Sequence, residues 1–482
     1  MIEFEPVIGM EVHVELQTKS KMFCGCEVGF GGDPNIRCCP VCLGLPGSLP
    51  VVNETAIEYM TKAALALNCT INKQSIFHRK NYYYPDLPKN YQVSQYDIPL
   101  GVDGWLEITT NGQVKKIAIR RVHMEEDTGK LLHVEGNRSH VDYNRSGVPL
   151  MEIVTMNPPP PGLHQIESAD EAREYLQRLR AILVYLGVSD CKMEEGSMRC
   201  EPNISIRPKG QEKFGTKTEI KNLNSFRAVY LGVEYELKRQ EKVIRAGDKV
   251  IQETRRWDDA NGLTAKMRSK EVEQEYRYFP EPDLMPMRFT EEHIETLRAS
   301  LPELPIAKAA RFVSDFGIPQ SDAEVLVDSP ELANFYEDCV KCSSDAKAVS
   351  NWIMGEFLRL INSAGITLNE NKITPELLAG MLKLIDNGTI NRNMAKIVFE
   401  DMFSTGRDAD KIVDERGLRQ VNDESAIEEA VNKIIATSPG EVERFRGGEE
   451  KLMGWFVGQV MRESKGKANP ATVNKLLKDK LS

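Results

Sequence analysis

The sequence predicts an α+β chain, strand-rich in its N-terminal part and helical beyond Asp283. Three observations carry that expectation. Ile8, Met10, Val12 and Val14 alternate with Glu11, His13 and Glu15, the period of a half-buried strand. Asn111-Gly112 sits between two strand-like runs, 105–110 and 113–124, and Asn-Gly is the strongest short hairpin signal. After Tyr278-Phe279-Pro280-Glu281-Pro282-Asp283 the texture turns to helix starts. Ser321-x-x-Glu324 reads as a capping box, and Ser329-Pro330-Glu331 and Thr374-Pro375-Glu376 as cap-then-proline starts.

The first strand sets the chemistry. Residues i and i+2 share a face, so Glu11, His13 and Glu15 line up opposite the apolar side. A carboxylate and an imidazole on a rigid strand suit a divalent cation, but one pair is too few ligands. More carboxylates follow in His123-Met124-Glu125-Glu126-Asp127, where the hairpin's second strand ends, and at Glu152 beside Ile153 and Val154. Three strand segments delivering carboxylates is how a magnesium site is usually assembled. The bland alternative is a solvated strand face.

Composition bounds the rest. At 482 residues the chain holds roughly two to four domains. It is 41% hydrophobic and 28% charged with net charge −10, which argues against a protein that coats nucleic acid but not against a local basic surface. Its apolar runs are too short to span a membrane, and its start lacks the basic and apolar regions of a secretory signal. The expectation is a cytoplasmic chain, in which ten cysteines mean metal or free thiols rather than disulfides.

The cysteines cluster. Cys24-Gly25-Cys26 and Cys39-Pro40-Val41-Cys42 make the two knuckles of a tetrahedral zinc site with no open position, hence structural. Cys38 is a poorer partner for Cys42 than Cys39 is. Cys339 and Cys342 have no second pair nearby and read as ordinary thiols.

Further elements follow in order. A helix is expected from Glu54 to Leu67, with Ile57, Met60, Ala64 and Leu67 on one face. Lys80 and Tyr82 lie in a run of cations and aromatics that can stack on bases and hold phosphates; a Tyr-rich strand with a Pro-rich turn reads equally well. Four prolines after Asn157 make a stiff connector, and Ser168 with Glu171 reads as a capping box for a helix through Leu186. Residues 203–207 and 216–221 alternate as strands. Arg199, Arg207 and Lys217 belong to that basic region, which can hold nucleotide or tRNA phosphates. No Walker or G-x-G-x-x-G motif appears. From about Arg407 a last small unit follows. Leu452, Phe456, Val457, Val460 and Met461 form one apolar face, and Val473, Leu476 and Leu477 another. Lys465, Lys467 and Lys475 make its end basic on an acidic chain, which fits a grip on RNA.

These residues closely resemble the B subunit of the heterotrimeric tRNA-dependent amidotransferase (GatCAB) family. The matching segments include Ile8 to Leu16, Leu43 to Gly47, Arg79 to Tyr82, Tyr84 to Asp86 and His123 to Asp127. Others are Glu194 to Ser197, Lys221 to Phe226, Glu253 to Arg256, Tyr276 to Asp283, Gly458-Gln459 and Ser464 to Pro470. The resemblance implies an antiparallel-sheet catalytic cradle like those of glutamine synthetase and guanido kinases, then a helical domain and a small helical tail. The expected division is 1–292, 293–406 and 407–482, with the tail binding tRNA. It implies Mg-ATP-dependent phosphorylation of the side-chain carboxylate of Glu on tRNA(Gln), Asp on tRNA(Asn), or both. Ammonia then displaces the phosphate. A glutaminase A subunit would supply it, and a small C subunit would complete the heterotrimer. The magnesium positions fall on Glu11, His13, Glu126 and Glu152, and the zinc positions on Cys24, Cys26, Cys39 and Cys42. Strand alternation, however, puts Glu125 rather than Glu126 with His123, and the sequence leaves that choice open. Two rival readings are a carboxylate-activating kinase for another amine and a zinc-stabilised tRNA-binding scaffold without chemistry.

Overall fold

The computed structural model describes residues 3–134, 136, 138–269, 276–343, 345–420, 424–464, 468 and 470–481. The chain divides into two compact units, Met1–Pro305 and Ile306–Ser482.

The first unit is a mostly antiparallel sheet of twelve strands. Ten matter here: β1 (Phe4–Glu15), β2 (His78–Asn81), β3 (Tyr91–Ser94), β4 (Gly101–Thr110), β5 (Gln113–Glu126), β6 (Pro149–Thr155), β7 (Met198–Pro208), β8 (Thr218–Lys221), β9 (Glu253–Asp258) and β10 (Leu263–Ser269). Their order is β10-β9-β8-β7-β1-β6-β5-β3-β2, and β4 pairs with β5. Among the described strand pairs only β8 and β9 run parallel. The expected hairpin is present. Thr110 faces Gln113, and Asn111 and Gly112 have φ of 52° and 74°. Those left-handed values belong to a two-residue turn whose twist matches the strands.

One sheet face is apolar. Ile8, Met10, Val12 and Val14 of β1 pack with Ile119, Val122 and Met124 of β5 and Met151 and Ile153 of β6. Helices α1 (Glu54–Ala66), α2 (Ala169–Tyr185) and α3 (Phe226–Arg245) share that core through Met60, Tyr175, Leu179 and Val233. Helix α4 (Glu291–Ala299) adds Ile294 and Leu297 to it. Asn53, Ser168 and Ser225 cap α1, α2 and α3 by accepting a backbone N–H. At Ser168 the capping box is only half formed. The Glu171 carboxylate accepts from Glu167 N at 2.8 Å, one residue before the cap.

The named elements of the second unit are all helices among the described residues. Ser329 and Thr374 cap their helices with proline in the first turn, as expected. The Ser321 box is not formed. That helix is Gln320–Leu326 with Pro319 before it, so Ser321 lies inside the first turn, where it cannot cap. Near the end of the chain, Phe456, Val460, Val473 and Leu477 share a core with Ile427 and Val431. Cys339 is buried and Cys342 exposed on the helix Pro330–Cys342, both as free thiols.

Candidate active site

With one face covered by helices, the other face of the sheet is polar. Register determines who meets whom there, because residues directly opposite on antiparallel strands share a face. His13 lies opposite Glu152, Glu152 opposite His123, and Leu150 opposite Glu125. On the other side of β1, Glu11 faces Glu201 and His13 faces Arg199. Asn203 faces Glu219 on β8. The pleat therefore gathers ionisable groups from five adjacent strands.

They form two groups. In the first, His13 Nε2 is 3.4 Å from Glu125 Oε1 and 3.9 Å from Glu152 Oε2. His123 Nε2 donates toward Glu152 Oε2 at 2.9 Å from behind. Burial alone would lower the His13 pKa, but its hydrogen bond to Glu125 and the field of Glu152 raise it to about 9. Burial likewise opposes ionisation of Glu125 and Glu152; the imidazoles of His13 and His123, respectively, hold them below the usual carboxylate range. In the second group, Glu11, Glu201 and Glu219 converge. Glu11 accepts from Asn203 Nδ2 at 3.0 Å, and Lys221 Nζ reaches Glu201 at 2.6 Å. Burial, then the charges of Glu152 and Glu201, raise the Glu11 pKa.

The donor atoms of His13, Glu125 and Glu152 lie within 4.8 Å of one another. One imidazole and two carboxylates fit magnesium, which keeps several positions for water and phosphate oxygens. The cysteine loop forms another cluster: Cys24, Cys26, Cys39 and Cys42 bring their sulfurs within the same 4.8 Å. Four thiol ligands and no oxygen fit structural zinc. Cys38 stands outside that set. Lys21, fully buried, secures the loop by donating to Arg37 O at 2.8 Å, Tyr143 O at 3.2 Å and Cys42 Sγ at 3.8 Å.

Residues 6–295 match the family described as the GatB/GatE catalytic domain. This chain belongs to the GatB family. Residues 334–481 also match a separate family described as the GatB domain. The B subunit of the aspartyl/glutamyl-tRNA(Asn/Gln) amidotransferase of Carboxydothermus hydrogenoformans is 54% identical, with all of both chains covered. Its counterpart in Thermoanaerobacter sp. strain X514 is 53% identical over all of both chains. That of Thermodesulfovibrio yellowstonii is 54% identical over 99% of each.

The GatB motif residues do not all meet. His13 and Glu152 do, as expected. Glu11 belongs to the neighbouring carboxylate group. Glu126 lies apart from His13 and Glu152. It follows Glu125 on a pleated strand and so points to the opposite face, where Lys89 pairs with it and Val93 N donates to it at 3.0 Å. Glu125 is the carboxylate of that pair that meets His13.

Of the expected phosphate binders, Lys80 lies on the polar face and Tyr82 just beyond the end of β2 beside it. Lys80 Nζ is 5.0 Å from the Tyr276 ring centroid, and the Tyr82 ring meets the same Tyr276 edge-on at 6.0 Å. Arg199 is paired with Asp127, 3% exposed, which also takes Arg145 at 3.4 Å. Glu15 completes that knot; burial and then the Asp127 charge raise its pKa to about 8. Two others lie apart from this cluster. Arg207 pairs with Glu5 at 3.3 Å and donates to Glu212 O at 2.9 Å, on the order of 20 Å from Glu11 along β1. Lys217 is exposed and precedes β8. Lys475 is exposed on the helix Pro470–Leu481, whereas Lys465 and Lys467 lie outside the described residues. Glu201 and Glu219 were missed: alternation along 199–207 and 216–221 puts each on one face of its own strand, and the sheet order brings those strands beside β1.

Proposed function

We propose that this chain activates the side-chain carboxylate of a misacylated aminoacyl-tRNA by phosphorylation, on the polar sheet face at His13, Glu125 and Glu152. At the coarser level the assignment is plain. The chain is the B subunit of a tRNA-dependent amidotransferase, an ATP-dependent ligase that converts misacylated Glu- or Asp-tRNA to Gln- or Asn-tRNA.

The chemistry asks for this kind of surface. A carboxylate is a poor acyl donor because its oxygen leaves badly. In the proposed step a carboxylate oxygen attacks the γ-phosphorus of ATP, the bond to the bridging oxygen breaks, and ADP departs. Ammonia then attacks the acyl carbon, the carbon–oxygen bond breaks, and inorganic phosphate leaves as the nitrogen loses a proton. Such transfer is mostly positioning and charge neutralisation. His13, Glu125 and Glu152 would hold magnesium, which when bound neutralises phosphate charge. His123 orients Glu152 through its hydrogen bond. Glu11 is placed in a supporting role beside them. Lys80 and Tyr82 are assigned to the nucleotide. The likeness to glutamine synthetase and guanido kinase cradles belongs to this reading, since an open sheet face is what those folds would offer a substrate. So do the glutaminase A subunit as ammonia source, the small C subunit, structural zinc on the four cysteines, and the division 1–292, 293–406 and 407–482. The tail, with Lys475 on its surface, is assigned to tRNA.

The observation that carries the proposal is the convergence of His13, Glu125 and Glu152. The test is amidation by the chain assembled with its A and C partners, given misacylated tRNA, Mg-ATP and glutamine. Product formed only with ATP and lost in Glu125→Ala supports the reading. A Glu125→Ala complex that still amidates at the wild-type rate overturns it in favour of a scaffold.

A further inference from the structure

The polar face has more cations than partners. Lys221 is paired with Glu201, Arg199 and Arg145 with Asp127, and Arg207 with Glu5. Arg121 is different. It lies two residues before His123 on β5 and opposite Val154 on β6, which puts it on the face of His123, Glu125 and Glu152. Its Nε is buried without a hydrogen-bond partner, as are those of Arg199 and Arg207, which have carboxylates to pair with. Among the described residues neither Arg121 nor Lys80 has a carboxylate within ion-pair distance. Burying a guanidinium atom unpaired is costly, so its position points to an anion arriving from outside the chain.

A strap of aromatic residues lies against Lys80. Asn81 N donates to Tyr276 O at 2.9 Å, and Asn81 Nδ2 to Arg277 O at 2.8 Å. Arg277 takes φ of 46°, a left-handed turn between two tyrosines. Tyr276 then stands under Lys80, while Tyr278 stacks on Tyr96 with centroids 4.1 Å apart and planes 5° apart. The half-buried Tyr278 hydroxyl lies in the fields of Lys80, Glu125 and Arg121 together. The strap thus touches Lys80 directly, and Arg121 is near enough for its charge to act on the Tyr278 hydroxyl, beside the His13 group.

We propose that Arg121 binds the phosphate chain of ATP on this face, with Lys80 as the second cation and the Tyr276–Tyr278 strap as the wall holding them apart. A planar guanidinium suits phosphate oxygens because it can donate two parallel hydrogen bonds. The inference rests on the reading of the face as a phosphoryl-transfer site.

The test uses the assembled complex with Arg121→Met and Arg121→Lys, measuring KM for ATP, KM for misacylated tRNA, kcat and melting temperature. Losing a charge-assisted contact is expected to raise KM for ATP by about tenfold or more in Arg121→Met. KM for tRNA stays within about twofold, and Arg121→Lys recovers part of the loss. Unchanged KM for ATP in a folded Arg121→Met complex overturns the proposal. If Arg121→Met does not fold, Arg121→Lys decides: an unchanged KM for ATP overturns the proposal, and a raised one supports it. A wild-type complex that amidates without ATP would instead sink the phosphoryl-transfer reading, leaving Arg121 with no phosphate to hold.

Discussion

Glu125 and Glu126 are neighbours on β5 and send their carboxylates to opposite faces of one sheet. Glu125 lies 3.4 Å from His13 Nε2, whereas Glu126 is held by Lys89 and by Val93 N at 3.0 Å. The pleat thereby separates two charges that would otherwise repel across adjacent residues. It also makes the pair a test of the site. Glu125→Gln removes a charge from the His13 group without changing volume. Amidation by the complex is expected to fall by at least about a hundredfold, the scale of losing one electrostatic contact to a transferring group. Its melting temperature should stay within about 3 °C, since one carboxylate of a crowded cluster is lost. Retained activity would mean that the cluster does not hold the reacting centre.

The cysteine loop makes a separable claim. If Cys24, Cys26, Cys39 and Cys42 hold zinc, the binding free energy is folding free energy for the loop between β1 and α1. Cys39→Ser should lose the bound zinc and lower the melting temperature by at least about 5 °C. Proteolysis should then cut between residues 24 and 51 sooner than in the wild type. A variant with unchanged zinc content and melting temperature would count against a structural site.

How much of this was legible follows from how local each signal is. The β1 alternation and the Asn111-Gly112 turn depend on neighbours in sequence, and both elements form as expected. The two cysteine knuckles are equally local, and their sulfurs converge. Strand parity grouped Glu125 with His123 while the family resemblance pointed to Glu126, and the sequence alone could not choose; in the fold it is Glu125 that faces His13. Glu201 and Glu219 were hidden because their meeting with Glu11 depends on the order β8-β7-β1, which no local pattern encodes. The positions of Arg207 and Lys217 were hidden for the same reason, since their charge was visible in the sequence and their distance from His13 was not.

Glu236 offers a pH-dependent test away from the site. Its fully buried carboxylate accepts from Thr218 Oγ1 at 2.6 Å, Arg239 Nη2 at 2.6 Å, Gln240 Nε2 at 3.0 Å and Thr264 Oγ1 at 3.2 Å. It ties α3 to β8 and β10. Burial pushes its pKa up, but these donors, Arg239 foremost, bring it below the usual carboxylate range. A lowered carboxyl stabilises the fold above its unfolded pKa and loses that contribution as pH falls through the folded value. Glu236→Gln is therefore expected to cost about 1–3 kcal/mol at neutral pH. The gap to wild type should narrow as the solution is acidified below pH of about 4. Denaturant titrations at several pH values would show it, and a gap that widens in acid would refute the assignment.

Phe456 tests the tail. Its side chain is fully buried in a core with Val431, Val460, Val473 and Leu477, and the edges of the Phe445 and Trp455 rings meet it at 6.2 and 5.1 Å. Truncating a buried phenylalanine leaves a cavity, so Phe456→Ala should destabilise the tail helices by about 3–5 kcal/mol. The N-terminal unit has its own core, which Phe456 does not enter. If the tail grips tRNA, the variant complex should show a raised KM for misacylated tRNA with KM for ATP unchanged. The tail's state can be followed by proteolysis within residues 424–481. A tail that is cleaved rapidly while KM for tRNA stays at the wild-type value would remove the tail from the tRNA-binding surface.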